Sequence, residues 1–104
     1  MTLKLYEEVN DERERQNKIH PELPEHLLQP GKDPTKEQIK KALEYIQAEN
    51  NLAEAQKEHS WYGILYEELK EIFASDTKEE LHNEIVQTIS VLVRLDEAIN
   101  EGKV

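Results

Sequence analysis

The strongest constraint on this chain is where its helix breakers lie. Pro21, Pro24, Pro30, Gly31 and Pro34 crowd into residues 20–35, and no proline occurs outside that stretch. Proline inside a helix removes a backbone hydrogen bond and clashes with the preceding turn, so the chain is open to helix on either side of the break. Apolar residues recur there at helical spacing, and no segment alternates over any useful length as a half-buried strand does. The predicted fold class is all-α.

Four helices are expected in one domain over residues 1–104. Thr2 can cap a first helix over 1–20, in which apolar Leu3, Leu5, Tyr6 and Val9 precede a charged second half. A loop over 21–33 follows. Asp33 before Pro34 has the arrangement of an N-cap with a first-turn proline, opening a helix over 34–58. Its stripe is Ile39, Ala42, Leu43, Ile46, Leu52 and Ala55, with Asn50 and Asn51 as an interruption. Ser60 can cap a third helix over 60–75. Asp76 with Glu79, or Thr77 with Glu80, has capping-box spacing for a fourth over 77–101, which Gly102 would stop.

The apolar supply is small. With 37% hydrophobic and 35% charged residues in 104, one modest core is available, and such proteins often complete it by pairing with copies of themselves. A homo-oligomer, dimer or tetramer, is expected, in the form of a helical bundle. The net charge of -10 argues against gripping nucleic-acid phosphates and favours attraction of divalent cations. Absence of cysteine, of a leader pattern and of a long apolar run gives the expectation of a cytoplasmic protein with no membrane role.

The segment SWYGILYEELKEIFA, residues 60–74, sets the functional question. At about 100° per residue, Trp61, Leu65, Leu69 and Ile72 share one side, with Tyr62, Phe73 and Tyr66 widening it and Ile64 at the other edge. Glu68 projects inside this arc and Glu71 beside Ile64, whereas Glu67 and Lys70 face outward. On the last helix Leu81, Ile85, Ile89, Leu92, Val93 and Ile99 form the main stripe, extended by Val91, Leu95 and Ala98. Glu84 points between Val91 and Leu95, with Gln87 one turn along the same edge. Where acids are this abundant, the pattern E-x-x-E is ordinarily a solvated helix face. Placement within apolar arcs on two consecutive helices is what points elsewhere. Buried carboxylates need a partner, and basic side chains nearby are too few, so an oxygen-lined pocket for Mg²⁺ or Mn²⁺ is expected.

EELKE at 67–71, twelve residues, and then EIVQ at 84–87 resemble the E-x-x-E…E-x-x-D signature of the MazG-like all-α nucleoside triphosphate pyrophosphohydrolases. The surrounding residues 60–101 are similar to a small branch of that family with a tryptophan before the first acidic pair and glutamine in place of the last aspartate. ERERQ at 12–16 looks like its N-terminal segment. The resemblance implies metal-dependent hydrolysis of a nucleoside or deoxynucleoside triphosphate to the monophosphate and pyrophosphate. It implies that Glu68, Glu71 and Glu84 hold Mg²⁺, with Gln87 in the fourth ligand's place, and that Glu67 is a further ligand or a base. Gln87 supplies an oxygen but no charge, so weaker metal binding, or loss of turnover, is expected there.

Further candidates come from chemistry near the motif. His59 and Trp61 can reach a phosphate or a base, although a tryptophan at the start of an apolar stripe is more often core. Arg13 and Lys18 can approach a triphosphate from another helix or subunit, although a mixed-charge helix surface is their commoner role. Two rival functions accompany the hydrolase: a MazG-like nucleotide-binding or protein-interaction module without turnover, and an acidic helical mimic of DNA that occupies a basic partner.

Overall fold

Side-chain caps fix where the helices begin. The computed structural model describes all residues 1–104 and contains four helices and no strand. In α1 (Leu3–Ile19) the Thr2 hydroxyl accepts from the Leu5 N–H at 3.1 Å. Ser60 does the same for Gly63 at the start of α3 (Trp61–Ala74), and Thr77 for Glu80 at the start of α4 (Lys78–Asn100).

The start of α2 (Lys36–Ala55) departs from expectation. Thr35, not Asp33, is its N-cap, in a reciprocal capping box with Gln38. Asp33 instead closes the preceding turn, its carboxylate accepting from the Gln29 N–H at 2.7 Å. A threonine with glutamine three residues on satisfies two helix-end donors at once, which proline's fixed φ alone does not. The helix also runs unbroken through Asn50 and Asn51.

Two helices end in the same way. At α4, Gly102 has φ +73°, and the N–H groups of Gly102 and Lys103 return to the carbonyls of Ile99 and Ala98. At α2 the left-handed position is filled by Lys57, φ +59°, with N–H groups of Lys57 and Glu58 on the carbonyls of Glu54 and Ala53. These are Schellman closures, one with glycine and one without.

α3 packs between α2 and α4. No Cα of α1 comes within 8 Å of another helix. An apolar groove of about 410 Å³ separates Met1, Leu5 and Val9 from Ile89, Leu92 and Ile99 of α4. At the opposite end Lys36 donates to the Ser75 carbonyl at 2.6 Å, and Lys40 reaches Asp76 at 2.8 Å, tying α2 to the α3–α4 turn.

The buried side of α4 is displaced from the stripe read in the sequence. Leu81, Glu84, Thr88, Val91, Leu95 and Ala98 turn inward, while Ile85, Ile89, Leu92 and Ile99 are exposed. On α2 the shielded line runs through Ile39, Leu43, Ile46, Asn50 and Ala53, and Leu52 is exposed. Leu69 on α3 is likewise open. Each helix has more apolar surface than one neighbour covers, so hydropathy alone does not choose the side that packs.

Little of the apolar material is fully enclosed within a single copy. Ile39 is the one buried hydrophobic side chain. The accessible surface is 8605 Å², against roughly 6,100 Å² for a compact monomer of this mass. The radius of gyration is 16.1 Å, against about 13 Å for a compact domain of this length.

Candidate metal centre

Only Ser75, Asp76 and Thr77 separate α3 from α4, so the two helices return on each other as an antiparallel hairpin. Acids in the second half of α3 are thereby set opposite acids in the first half of α4. Glu68 and Glu71, at i and i+3, share one face of α3. Carboxylate oxygens of Glu68, Glu71 and Glu84 all lie within 4.8 Å of one another, and all three side chains are half-buried. Such a group can hold a metal ion.

The cluster is electrostatically unbalanced. Glu68 Oε2 and Glu84 Oε2 are shielded from solvent and have no hydrogen-bond partner. Burial, then a shared hydrogen bond with Glu84 and repulsion from Glu68, pushes the Glu71 carboxyl up to about 8 from the ordinary 4.5. Burial, followed by the charges of Glu84 and Glu67, also raises Glu68. Without a cation, Glu71 therefore keeps its proton at neutral pH.

No basic side chain balances these acids. Lys36 and Lys40 are engaged at Asp76, and Lys70 lies over the Tyr66 ring, 5.5 Å from its centroid. Orphaned oxygens of Glu68 and Glu84 beside the Glu71 carboxyl, with no ammonium or guanidinium paired to them, are a donor set that suits a hard divalent cation.

Glu67 does not face outward as helical projection suggested. It is half-buried against α2, where the Asn50 side-chain amide donates to its carboxylate at 3.0 Å and to the Gly63 carbonyl at 2.8 Å. Glu67 also lines one cleft with Glu68 and with Arg94 of α4. The projection lacked the information that α2 packs on that side.

Beside Glu67 and Glu68, and not lined by Glu71 or Glu84, is a cleft of about 330 Å³. Glu67 and Glu68 line it together with Asn51, Glu54, His59 and Arg94. An adjoining hollow of about 220 Å³ shares His59 and Arg94 and adds Ser60, Trp61 and Val91. His59 and Trp61 thus sit in line with the acids, Trp61 half-buried and His59 exposed.

The remaining sequence candidates are not gathered here. Gln87 is exposed on α4, one turn beyond Glu84. Arg13 and Lys18 are exposed on α1, and Arg13 donates to Asn10 of its own helix. Within one copy neither approaches the cluster.

Two residues that line this region carry no role in the sequence reading. Asn50 falls four residues after Ile46 and seven after Leu43, so its place on the α2 stripe was visible as a polar residue at an apolar position. Arg94 was visible only as a basic residue near the edge of the apolar face of α4, because its relation to Glu68 depends on how α3 and α4 are paired. No protein-family model, curated protein or solved structure matches this sequence.

Proposed function

We propose that this protein is a divalent-metal-dependent nucleoside triphosphate pyrophosphohydrolase of the MazG-like kind. The observation that carries the reading is the convergence of Glu68, Glu71 and Glu84, with two shielded oxygens lacking any partner. The spacing EELKE…EIVQ supplies the family resemblance.

Glu68, Glu71 and Glu84 would hold Mg²⁺ or Mn²⁺. When bound, such an ion neutralises phosphate charge and makes an attacking water more nucleophilic. Glu67, fixed through Asn50 at the cleft wall, accepts the proton of a water aimed at the α-phosphorus. The bond from that phosphorus to the bridging oxygen breaks as the new P–O bond forms, and pyrophosphate leaves. His59 and Trp61 extend the cleft for the phosphates beyond the reacting one. Arg13 and Lys18 reach a site only if supplied by a second copy. Gln87, exposed beyond Glu84, contributes at most a neutral oxygen.

A homo-oligomer belongs to the same proposal. A self-interface would cover apolar surface that a single copy leaves exposed. The exposed Ile85, Ile89, Leu92 and Ile99 row is its centre.

Purified protein incubated with Mg²⁺ or Mn²⁺ and a panel of triphosphates should yield monophosphate plus pyrophosphate, and Glu68→Gln should not. Diphosphate plus phosphate would refute the bond assignment. Saturable nucleotide binding without product would select the interaction-module reading, which Gln87 favours. A DNA mimic needs its carboxylates turned to solvent, and the half-buried Glu68 and Glu84 count against it.

A further inference from the structure

The cleft beside the acids has one cationic wall. Arg94 projects from α4, ten residues beyond Glu84, or about 15 Å along the helix axis. Helical side chains lean toward the helix N-terminus, so an arginine reaches back toward Glu84 by several ångströms. Arg94 is exposed there and makes no direct ion pair with the carboxylates.

The donors of Arg94 are free. Of the three arginines, Arg15 is paired with Glu12 and Arg13 donates to Asn10, whereas Arg94 has no carboxylate within 4 Å and no hydrogen-bond partner. It nevertheless lines the same cavity as Glu54, Glu67 and Glu68. In a protein of net charge -10, a polyanion entering a carboxylate-lined cleft meets repulsion that one divalent ion does not cancel. A guanidinium fork offers paired donors matched to phosphate oxygens.

We propose that Arg94 binds the terminal phosphate of a polyphosphate whose reacting end lies at Glu67 and Glu68. This rests on the reading of the acidic cleft as a polyphosphate site. Arg94 then decides which way the row of phosphates lies, with the far end directed toward His59 and Trp61.

The test is titration of the full-length, Mn²⁺-loaded protein with inorganic pyrophosphate, for wild type, Arg94→Met and Arg94→Lys, with Mn²⁺ affinity measured in parallel. Pyrophosphate should bind wild type and weaken about tenfold or more in Arg94→Met. Lysine should restore part of the loss, because it keeps the charge without the fork. Mn²⁺ affinity should be unchanged or higher in Arg94→Met. Equal pyrophosphate affinity in wild type and Arg94→Met, or no pyrophosphate binding to wild type, overturns the proposal. Arg94-dependent pyrophosphate binding in a protein that hydrolyses no triphosphate keeps the anion site and removes the hydrolase reading. Hydrolysis with the same KM in Arg94→Met keeps the hydrolase and removes the anion site.

Discussion

The side-chain amide nitrogen of Asn50 on α2 lies 2.8 Å from the carbonyl oxygen of Gly63 on α3, and the same amide reaches Glu67 at 3.0 Å. A Cβ added at Gly63 would stand 2.6 Å from the Asn50 side-chain oxygen. Gly63 is therefore the close-approach point that lets α2 position a carboxylate of the cleft.

Gly63→Ala should show opposite signs in two backgrounds. In wild type the added methyl displaces Asn50, and overpacking of this kind costs about 1–3 kcal/mol, more than the roughly 1 kcal/mol an alanine contributes to a helix. In an Asn50→Ala background the obstruction is gone and Gly63→Ala should stabilise. Thermal or denaturant unfolding of the four proteins measures this cycle; additive effects would mean that Asn50 is not pinned. Asn50→Ala alone should lower hydrolysis by about tenfold, the usual cost of releasing an orienting partner.

The metal-free protein should lose stability as pH rises. Glu71 is raised to about 8 from 4.5, so the folded state binds more protons than the unfolded one between those values. The contribution is present in full below about pH 4.5 and lost as pH passes through about 8. Melting temperature in a chelator should fall between pH 5 and pH 8, and added Mg²⁺ should raise it more at pH 8 than at pH 5. A flat metal-free profile would show that the carboxylates do not share a confined site.

Glu71→Gln should stabilise the metal-free protein at pH 8, raising its melting temperature by about 2–5 °C through removal of one confined charge. The same change should lower metal affinity and activity by about a hundredfold or more, because it removes an anionic ligand. A variant less stable than wild type in chelator at pH 8 would contradict the picture of mutually repelling acids.

Lys57→Gly should stabilise the fold by about 1 kcal/mol. Lys57 closes α2 at φ +59°, in the left-handed region that a Cβ disfavours. Chemical denaturation reads this directly, and Gly102→Ala at the matching position of α4 should shift stability the other way by a similar amount.

Ile89→Asp should convert a self-associated species to monomer, since Ile89 lies in the exposed row of α4. Light scattering coupled to size-exclusion chromatography at micromolar concentration checks it. A monomeric wild type would remove the self-interface.

Helix order, the Thr2 and Ser60 caps and the inward position of Glu68 were legible because each depends on residues within a few positions of one another, whereas spacing left Asp76 and Thr77 both open as the fourth cap. Which face of a helix packs was not legible. Ile85 and Ile89 belong to as good a stripe as Leu81, Val91 and Leu95, and only the partner helix discriminates between them. Glu67 was misjudged for the same reason, since nothing along α3 shows that α2 packs on that side; Asn50 lies on the α2 stripe, but its partners on α3 are not written in that spacing. Thr35 displaced Asp33 as a cap because two local signals competed within three residues.

The three-residue turn after α3 has a further consequence, in the order of assembly. Glu71 and Glu84 are thirteen positions apart, and the entropy lost in closing so short a segment is small compared with that for distant contacts. The acidic seam belongs to one helical hairpin and is expected to form early in folding, ahead of the docking of α1. Pulsed hydrogen exchange during refolding should protect amides of α3 and α4 ahead of those of α1. Repulsion among the carboxylates then acts on the nascent hairpin itself, and a divalent cation in the refolding buffer should accelerate folding as well as stabilise its product.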